Sequence, residues 1–175
     1  MALCVPLASC GGMRHIAGTR SLRGPQPSLS ELEWAIAEHG VRTVISLRAP
    51  RTGDPAYEAQ VATCERAGVR HVALDWSARA TSDDKVDALV AILRDAEGPV
   101  FLHCRNGHDR SSLAAAIYRR VVLDHDADAA AEELDFVPHG HLPLFGYEAM
   151  DEAWRRFLAR EHREEREQRE QPSAR

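Results

Sequence analysis

Lysine, net positive charge and long apolar stretches are what this 175-residue sequence most clearly lacks. Lys85 is its one lysine, and the formal net charge at pH 7 is -5. Because binding to a nucleic-acid backbone needs clustered cations that release counterions, this composition excludes a general nucleic-acid-binding protein. No run approaches the roughly 18 apolar residues of a membrane span, so we expect no membrane-spanning segment.

The cysteines are few and are not arranged in pairs. They are Cys4, Cys10, Cys64 and Cys104. They include no CxxC pair and no histidine–cysteine spacing that is typical of a structural zinc site. A chain without a disulfide framework suits a reducing compartment, so we expect a cytoplasmic protein.

The remaining composition is that of a single soluble domain. Hydrophobic residues make up 44% and charged residues 28% of the chain, which suits one packed core at this length. The predicted organisation is a lead-in over 1–12, a domain over 13–163 and a charged tail over 164–175. The tail has no apolar face, and we expect a frayed helix extension or a disordered segment there.

Apolar spacing and turn residues divide the domain into alternating strands and helices. The predicted strands are 41–47, 69–74 and 100–103, after a first ordered element at 13–17 and a loop over 22–28. The predicted helices are 31–39, capped by Ser30 with Glu33 as its partner, then 56–67, 83–96, 111–122, 127–135 and 147–163. This alternation predicts a single α/β domain with a central, mainly parallel sheet of four to five strands flanked by helices.

One loop carries the residues of a reaction centre. Cys104 follows a predicted buried strand, Arg110 stands six residues later, and a predicted helix starts directly afterwards. Successive backbone N–H groups of such a loop, together with a helix N-terminus, form a concave site for an anion the size of phosphate. The predicted phosphate-binding residues are Arg105, Asn106, Gly107, His108, Asp109 and Arg110.

The same loop predicts nucleophilic chemistry at Cys104. Helix N-termini and nearby arginines favour the reactive thiolate form of a cysteine. Arg110 can donate a bidentate fork to two phosphate oxygens and stabilise charge in the transition state. Gly107 would allow the positive φ that a tight loop needs, and Ser111 could donate a hydrogen bond to the sulfur.

The string His103-Cys104-x-x-Gly107-x-x-Arg110-Ser111 resembles the signature loop of protein tyrosine phosphatases, in particular the dual-specificity branch. Residues 22–28 resemble the Arg-Gly-x-Gln-Pro opening of its bacterial, yeast and plant atypical members, and 43–48 resemble their strand ending in Leu-Arg. The resemblance covers roughly residues 13–157. It implies a phosphocysteine intermediate at Cys104, no metal or other cofactor, and a role for His103 in fixing the loop through hydrogen bonds.

Two aspartates compete for the role of general acid. Asp75 directly follows a predicted strand and stands 29 residues before Cys104, close to where dual-specificity phosphatases carry their mobile-loop acid. Asp109 matches an aspartate inside the loop of bacterial lipid and tyrosine phosphatases, where it is assigned as the acid. A general acid must reach the leaving oxygen within about 3 Å or through one water, which a sequence does not measure. Asp83 and Asp84 are further candidates.

The resemblance implies a phosphorylated protein or a small phosphomonoester as the substrate. Arg105 and His108 would enlarge the positive field for polyphosphorylated compounds, so a phosphoinositide or inositol phosphate phosphatase is the first alternative. A phosphate-binding pseudophosphatase is the second, although such proteins usually lack the Cys or the Arg. His139 and His141 have no third and fourth ligand nearby, and we expect them in a loop beside the active-site rim rather than in a metal site.

Overall fold

The computed structural model describes residues 12–135, 141 and 148–170. Nearly all of the predicted lead-in and the last five residues of the predicted tail lie outside the described residues. So does His139, whereas its predicted partner His141 is described.

A five-stranded, mainly parallel sheet forms the centre of the fold. Its strands are β1 (Arg14–His15), β2 (Leu22–Gly24), β3 (Thr43–Ser46), β4 (Arg70–Ala73) and β5 (Val100–His103). They lie in the order β1-β2-β5-β3-β4, and β1 alone runs antiparallel to its neighbour. This sheet confirms the predicted fold class. The carboxyl ends of the four parallel strands meet at one edge, where ligands bind in sheets of this kind.

The second strand corrects the prediction of a loop over residues 22–28. Leu22–Gly24 pairs in parallel with β5, and all three of its residues are buried. Three residues followed by Pro25 are too few to display a period of two, so only the contact with β5 makes this segment a strand.

Helices cover both faces of the sheet. They are α1 (Leu29–His39), α2 (Pro55–Arg66), α3 (Asp83–Asp95), α4 (Asp109–Val121), α5 (Ala127–Ala131) and α6 (Ala149–Glu170), with a 3-10 turn at Glu132–Leu134. Ile45 and Leu102 face a core shared with α3, α4 and α6, whereas Val44 and Phe101 face a second core shared with α1 and α2. Alternate residues of each central strand therefore point into different cores.

The N-cap of α1 is Ser28, not the predicted Ser30. The Ser28 hydroxyl accepts the Glu31 N–H, and the Glu31 carboxylate accepts the Ser28 N–H in return. The same spacing of three residues occurs at both serines, so the sequence offered two capping boxes and the structure uses the earlier one.

The last helix extends seven residues into the segment predicted as a charged tail, because α6 ends at Glu170. Ion pairs hold it against neighbouring helices: Arg120 of α4 contacts Glu161 and Glu165, at 2.9 and 3.7 Å. Arg160 contacts Asp87 of α3 at 2.9 Å. Of the two alternatives for the tail, residues 164–170 adopt the helix extension.

Candidate active site

Cys104 lies at the end of β5, at the bottom of the predicted loop. Its side chain is buried, and its Sγ accepts the Gly107 N–H at 3.3 Å. Its own N–H donates to the Gly24 carbonyl of β2 at 3.2 Å. The sulfur is therefore held against a backbone donor inside the loop, as a thiolate nucleophile requires.

Gly107 has the left-handed backbone that the sequence predicted, with φ of +76°. A Cβ atom at this position would lie 2.5 Å from the Pro25 nitrogen and 2.8 Å from the Gly24 carbonyl carbon. Both neighbours are backbone atoms, which cannot move aside as a flexible side chain can. Conformation and close approach thus both require glycine here.

Ser111 lies within reach of the sulfur from the first turn of α4. Its Oγ is 3.6 Å from Cys104 Sγ and 3.3 Å from the His108 carbonyl oxygen. A serine hydroxyl has one proton to donate. The hydroxyl can donate to the His108 carbonyl while the sulfur is a thiol. It can donate to the sulfur when the sulfur is a thiolate.

Arg110 is held at the rim of the loop by two carbonyl groups. Its Nη1 donates to Leu47 O at 3.1 Å, directly after β3, and to Trp76 O at 3.2 Å, shortly after β4. Because both bonds use one corner of the guanidinium, the opposite edge remains suitable for a bidentate bond to phosphate.

The other predicted phosphate-binding residues form the outer part of the loop. The side chains of Arg105, Asn106 and His108 are exposed. The loop is attached to the end of β2, since Gln26 donates its N–H to Arg105 O at 3.3 Å and Pro25 bridges to Asn106. These contacts explain structurally why residues 24–26 accompany the loop.

His103 is the last member of a directional chain of hydrogen bonds. Arg48 donates to Gln26 Oε1 at 2.7 Å, and Gln26 Nε2 donates to Gln60 Oε1 at 2.7 Å. Gln60 Nε2 then lies 2.8 Å from His103 Nε2. Because an amide NH2 group can only donate, His103 Nε2 must accept, which requires a neutral imidazole.

Burial keeps His103 neutral as well. Its ring is fully buried, and this desolvation, followed by the charge of His71, lowers the pKa of His103 to about 3. A neutral ring ties β5 to α2 through Gln60. His103 therefore supports the loop through hydrogen bonds and does not supply a charge.

A buried ion cluster lies behind the loop. Arg23 of β2 donates to Ser112 of α4 at 2.6 Å and contacts Glu133 at 3.6 Å. Arg119 approaches the other oxygen of Glu133 at 3.5 Å. Arg119 also pairs with Glu132 at 3.0 Å, so two arginines and two carboxylates form a network behind the loop. Burial lowers the pKa of Arg23, and the negative charge of Glu133 acts against this effect.

Asp75 lies outside the loop, on the segment that follows β4. Its side chain is 70% exposed, and its carboxylate is 3.8 Å from Lys85 Nζ. The Asp75 carbonyl also accepts a hydrogen bond from Lys85. The next residue, Trp76, gives its carbonyl oxygen to Arg110, so the Asp75 segment borders the loop.

Asp109 begins α4, and its carboxylate is turned towards His141. Asp109 Oδ1 is 2.9 Å from His141 Nδ1, and His141 Nε2 is 2.9 Å from Asp151 Oδ2 of α6. The two candidate acids thus differ: Asp75 is exposed and weakly paired, whereas Asp109 is engaged by a buried histidine.

The remaining acid candidates lie at the start of α3. Asp83 forms ion pairs with Arg156 at 2.9 Å and Arg160 at 3.8 Å, both on α6. The hydrogen bond from Arg156 lowers the pKa of Asp83. Asp83 therefore joins two helices, and the exposed Asp84 lies beside it in the same turn.

Sequence reasoning missed Gln60, Arg23 and the contacts of His141. Gln60 is a buried polar residue in the middle of α2, and buried amides need partners. The one available signal was its position on the apolar face of a predicted helix. His141 was predicted beside the rim, and nothing in the sequence indicated which carboxylates it contacts.

The described part of the chain holds no group of three or more metal-ligating side chains. Within the same residues, no helix combines the length and apolarity needed to cross a membrane. The second described cysteine, Cys64, is buried in the α1–α2 core, and burial raises the pKa of its thiol to about 11.

The family of the chain follows from a comparison with known proteins. A family model described as "DSP-PTPase phosphatase fused to NAD+ Kinase" matches residues 12–141, from the end of the lead-in to His141. The chain belongs to this family. The match includes all five strands and the complete Cys104–Arg110 loop, and it confirms the predicted relationship to the dual-specificity branch.

One curated relative and two solved structures resemble this chain over different shares of its length. The dual specificity protein phosphatase TpbA of Pseudomonas aeruginosa strain UCBPP-PA14 is 38% identical over 96 residues, 54% of this chain and 40% of the relative. The match therefore spans less than half of that relative. The TpbA crystal structure has a TM-score of 0.59 at 24% identity, covering 84% of this chain and 91% of that one. PTPMT1 gives a TM-score of 0.61 at 19% identity over 86% and 99% of the two chains. Both structures confirm the fold.

We predict that Gly107→Ala abolishes binding of inorganic phosphate and vanadate. The added Cβ overlaps two backbone atoms and also requires an unfavourable φ. Isothermal titration calorimetry measures the binding. Gly68→Ala is the matched control, because Gly68 has φ of +65° but no atom within 4 Å of an added Cβ. It should lose only about 1–2 kcal/mol of stability and keep its affinity. Wild-type affinity in Gly107→Ala would contradict the steric argument.

Proposed function

We propose that this chain is a cysteine-dependent phosphatase that hydrolyses phosphotyrosine or other phosphomonoesters through a phosphocysteine at Cys104. The observation that carries the proposal is the position of Cys104 Sγ, which lies 3.3 Å from the Gly107 N–H and 3.6 Å from Ser111 Oγ. Arg110 stands at the rim of the same loop. Family membership and the resemblance to TpbA support this reaction class.

The reaction has two displacements at phosphorus. In the first, a lone pair of the Cys104 thiolate forms the S–P bond, the ester P–O bond breaks, and the leaving oxygen takes a proton from a general acid. In the second, water attacks phosphorus and gives its proton to the same carboxylate. The S–P bond then breaks, inorganic phosphate leaves, and Ser111 donates a hydrogen bond to the returning thiolate.

We assign the general acid to Asp75. In an in-line displacement the leaving oxygen stands opposite the attacking sulfur, so the acid must approach from the open side of the loop. The Asp75 carboxylate is exposed, borders Arg110 through Trp76 O, and is restrained by an ion pair with Lys85 that solvent weakens. Asp109 instead accepts a hydrogen bond from the buried His141, so its carboxylate already has a partner.

We predict that Cys104→Ser lowers the turnover of p-nitrophenyl phosphate at least 1000-fold, on the order of the loss expected for a catalytic nucleophile. Phosphate binding should persist, because the loop amides and Arg110 remain. Cys64→Ala is the control and should keep most of the activity, since Cys64 lies in another core. Acid-quenched wild-type enzyme should carry a phosphate on the Cys104 peptide in mass spectra. Substrate binding by the wild type without turnover at any pH would instead indicate a pseudophosphatase.

We predict that Asp75→Asn lowers kcat by about 100-fold or more for phenyl phosphate, the range expected for loss of a general acid. The loss should be smaller for p-nitrophenyl phosphate, whose leaving group is a weaker base and needs less protonation. Asp109→Asn should show no such dependence on the leaving group. The comparison is made from initial rates across pH. The opposite pattern, with the dependence in Asp109→Asn, would transfer the acid role to Asp109.

A second candidate function is supported by a group of arginines beside the loop. Burial, then the like charges of Arg51, Arg110 and Arg105, lower the pKa of Arg48. Arg48 and Arg51 also line a cavity of about 210 Å³ next to Gln26 and Gln60. Clustered guanidinium groups suit a substrate with a second phosphate. A phosphoinositide or inositol phosphate substrate is therefore the alternative. Among the structural relatives, PTPMT1 was crystallised in complex with PI(5)P. SIW14 of S. cerevisiae is described as a PP-IP phosphatase.

We predict that phosphotyrosine peptides are turned over with higher kcat/KM than phosphoinositides or inositol polyphosphates. In Arg51→Gln the KM of a multiply phosphorylated substrate should rise several-fold more than that of a phosphotyrosine peptide. Arg70→Gln is the control. It also removes one positive charge, but at the start of β4, the end of the strand away from the loop, and it should change the KM of both substrate classes alike. Steady-state kinetics on this panel decide between the candidates. Higher kcat/KM for the inositol substrates would favour the second one.

A further inference from the structure

His141 connects two helices from a fully buried position. Its Nδ1 is 2.9 Å from an oxygen of Asp109, the first residue of α4, and its Nε2 is 2.9 Å from an oxygen of Asp151, in the first turn of α6. The ring itself is not exposed to solvent. Asp109 is the first and Asp151 the third residue of helices whose N-termini already favour negative charge.

The protonation state of this group follows from its acceptors. A carboxylate oxygen accepts hydrogen bonds, and a ring nitrogen donates only when it carries a proton, so a contact to a carboxylate at both nitrogens favours the imidazolium form. Burial acts against the charge, but the hydrogen bonds to Asp109 and Asp151 and then their negative charges outweigh it and raise the pKa of His141 above its ordinary value. The unit of two carboxylates and one imidazolium has a net charge of -1.

The Asp109 end of the unit lies in the phosphate-binding loop. Asp109 directly precedes Arg110, and the first N–H groups of α4 complete the anion site. The Asp151 end lies on a helix that is anchored in the core, where Met150 and Trp154 are buried. A contact between the two ends therefore ties the phosphate-binding loop to a helix that is anchored in the core.

We propose that His141 is a positioning residue that joins Asp109 to Asp151 and thereby holds the start of α4, with Arg110, in the geometry that binds phosphate. It keeps the Asp109 carboxylate turned away from the reacting atoms. This inference rests on the proposed phosphatase function. It gives Asp109 a structural partner where sequence reasoning left it as a candidate acid.

The pH dependence of the unit has a defined sign. A group with a raised pKa keeps its charged contacts at low pH and loses them as the pH rises through that pKa. Among residues 12–135, 141 and 148–170, the charged groups that face His141 are Asp109 on α4 and Asp151 on α6. Phosphate binding and kcat/KM should therefore fall on the alkaline side as His141 loses its proton.

The first experiment measures His141 without turnover. Long-range ¹H–¹⁵N spectra of the imidazole rings are recorded against pH in Cys104→Ser, with the His141 signals assigned by their loss in His141→Gln. We expect both His141 nitrogens to be protonated at pH 7 and the pKa to fall by about one unit or more in Asp151→Asn, since that substitution removes an opposite charge. A His141 that titrates near 6.5, with no change in Asp151→Asn, would overturn the bridge even if the enzyme is an active phosphatase.

The second experiment measures the positioning role. The kcat/KM of p-nitrophenyl phosphate is followed against pH in the Asp75→Asn background, where Asp75 cannot contribute an alkaline limb. We expect the remaining alkaline limb to move to lower pH in Asp151→Asn. We expect His141→Gln to lose that limb and to lower kcat/KM about tenfold, as for a small misplacement of catalytic groups.

Folding is controlled by thermal unfolding of each variant, and Asp151→Asn is the milder change because the amide keeps an acceptor oxygen. If the limb stays at the same pH in Asp151→Asn and His141→Gln, the positioning role is wrong. If neither the wild type nor any variant turns over a phosphomonoester, the proposed function is wrong. The spectra still decide whether the bridge exists.

Discussion

The close approach of the Cys104–Arg110 loop to the end of β2 is the constraint on which the site depends. Gly107 packs so near to Gly24 and Pro25 that a single carbon atom between them would overlap the backbone. The amide of Cys104 and the carbonyl of Arg105 bond to the same stretch. The loop therefore has little freedom to relax when it is empty, and the Gly107 N–H stays directed at the sulfur. A site organised before the ligand arrives avoids the cost of ordering it during binding.

Two polar systems of opposite character support this loop from beneath. On the α4 side, Arg23 and Arg119 surround Glu133, and Arg119 also pairs with Glu132. On the α2 side, Gln60 and His103 form a neutral hydrogen-bonded contact. These ion pairs lie on the side that carries the N-terminus of α4, and the hydrogen bond from Arg23 to Ser112 joins that helix to β2. The neutral side fixes the direction of the strand that ends at Cys104.

Features that depend on residues close together in the sequence could be predicted, whereas features that depend on distant residues could not. The order of strands and helices, the loop and the positive φ of Gly107 follow from local patterns, and the structure agrees with them. The strand at Leu22–Gly24 and the bonding partner of Gln60 depend on residues far along the chain, which no local window contains. The proposed choice of Asp75 over Asp109 also rests on a long-range contact, that of Asp109 with His141.

The chain of amides that ends at His103 bears on how the site responds to pH. In each hydrogen bond of that chain the donor lies on the Arg48 side and the acceptor on the His103 side. Burial lowers the pKa of His103 to about 3. His103 therefore keeps its neutral form near neutral pH. A change of activity with pH therefore reports on groups other than His103, the buried His141 among them.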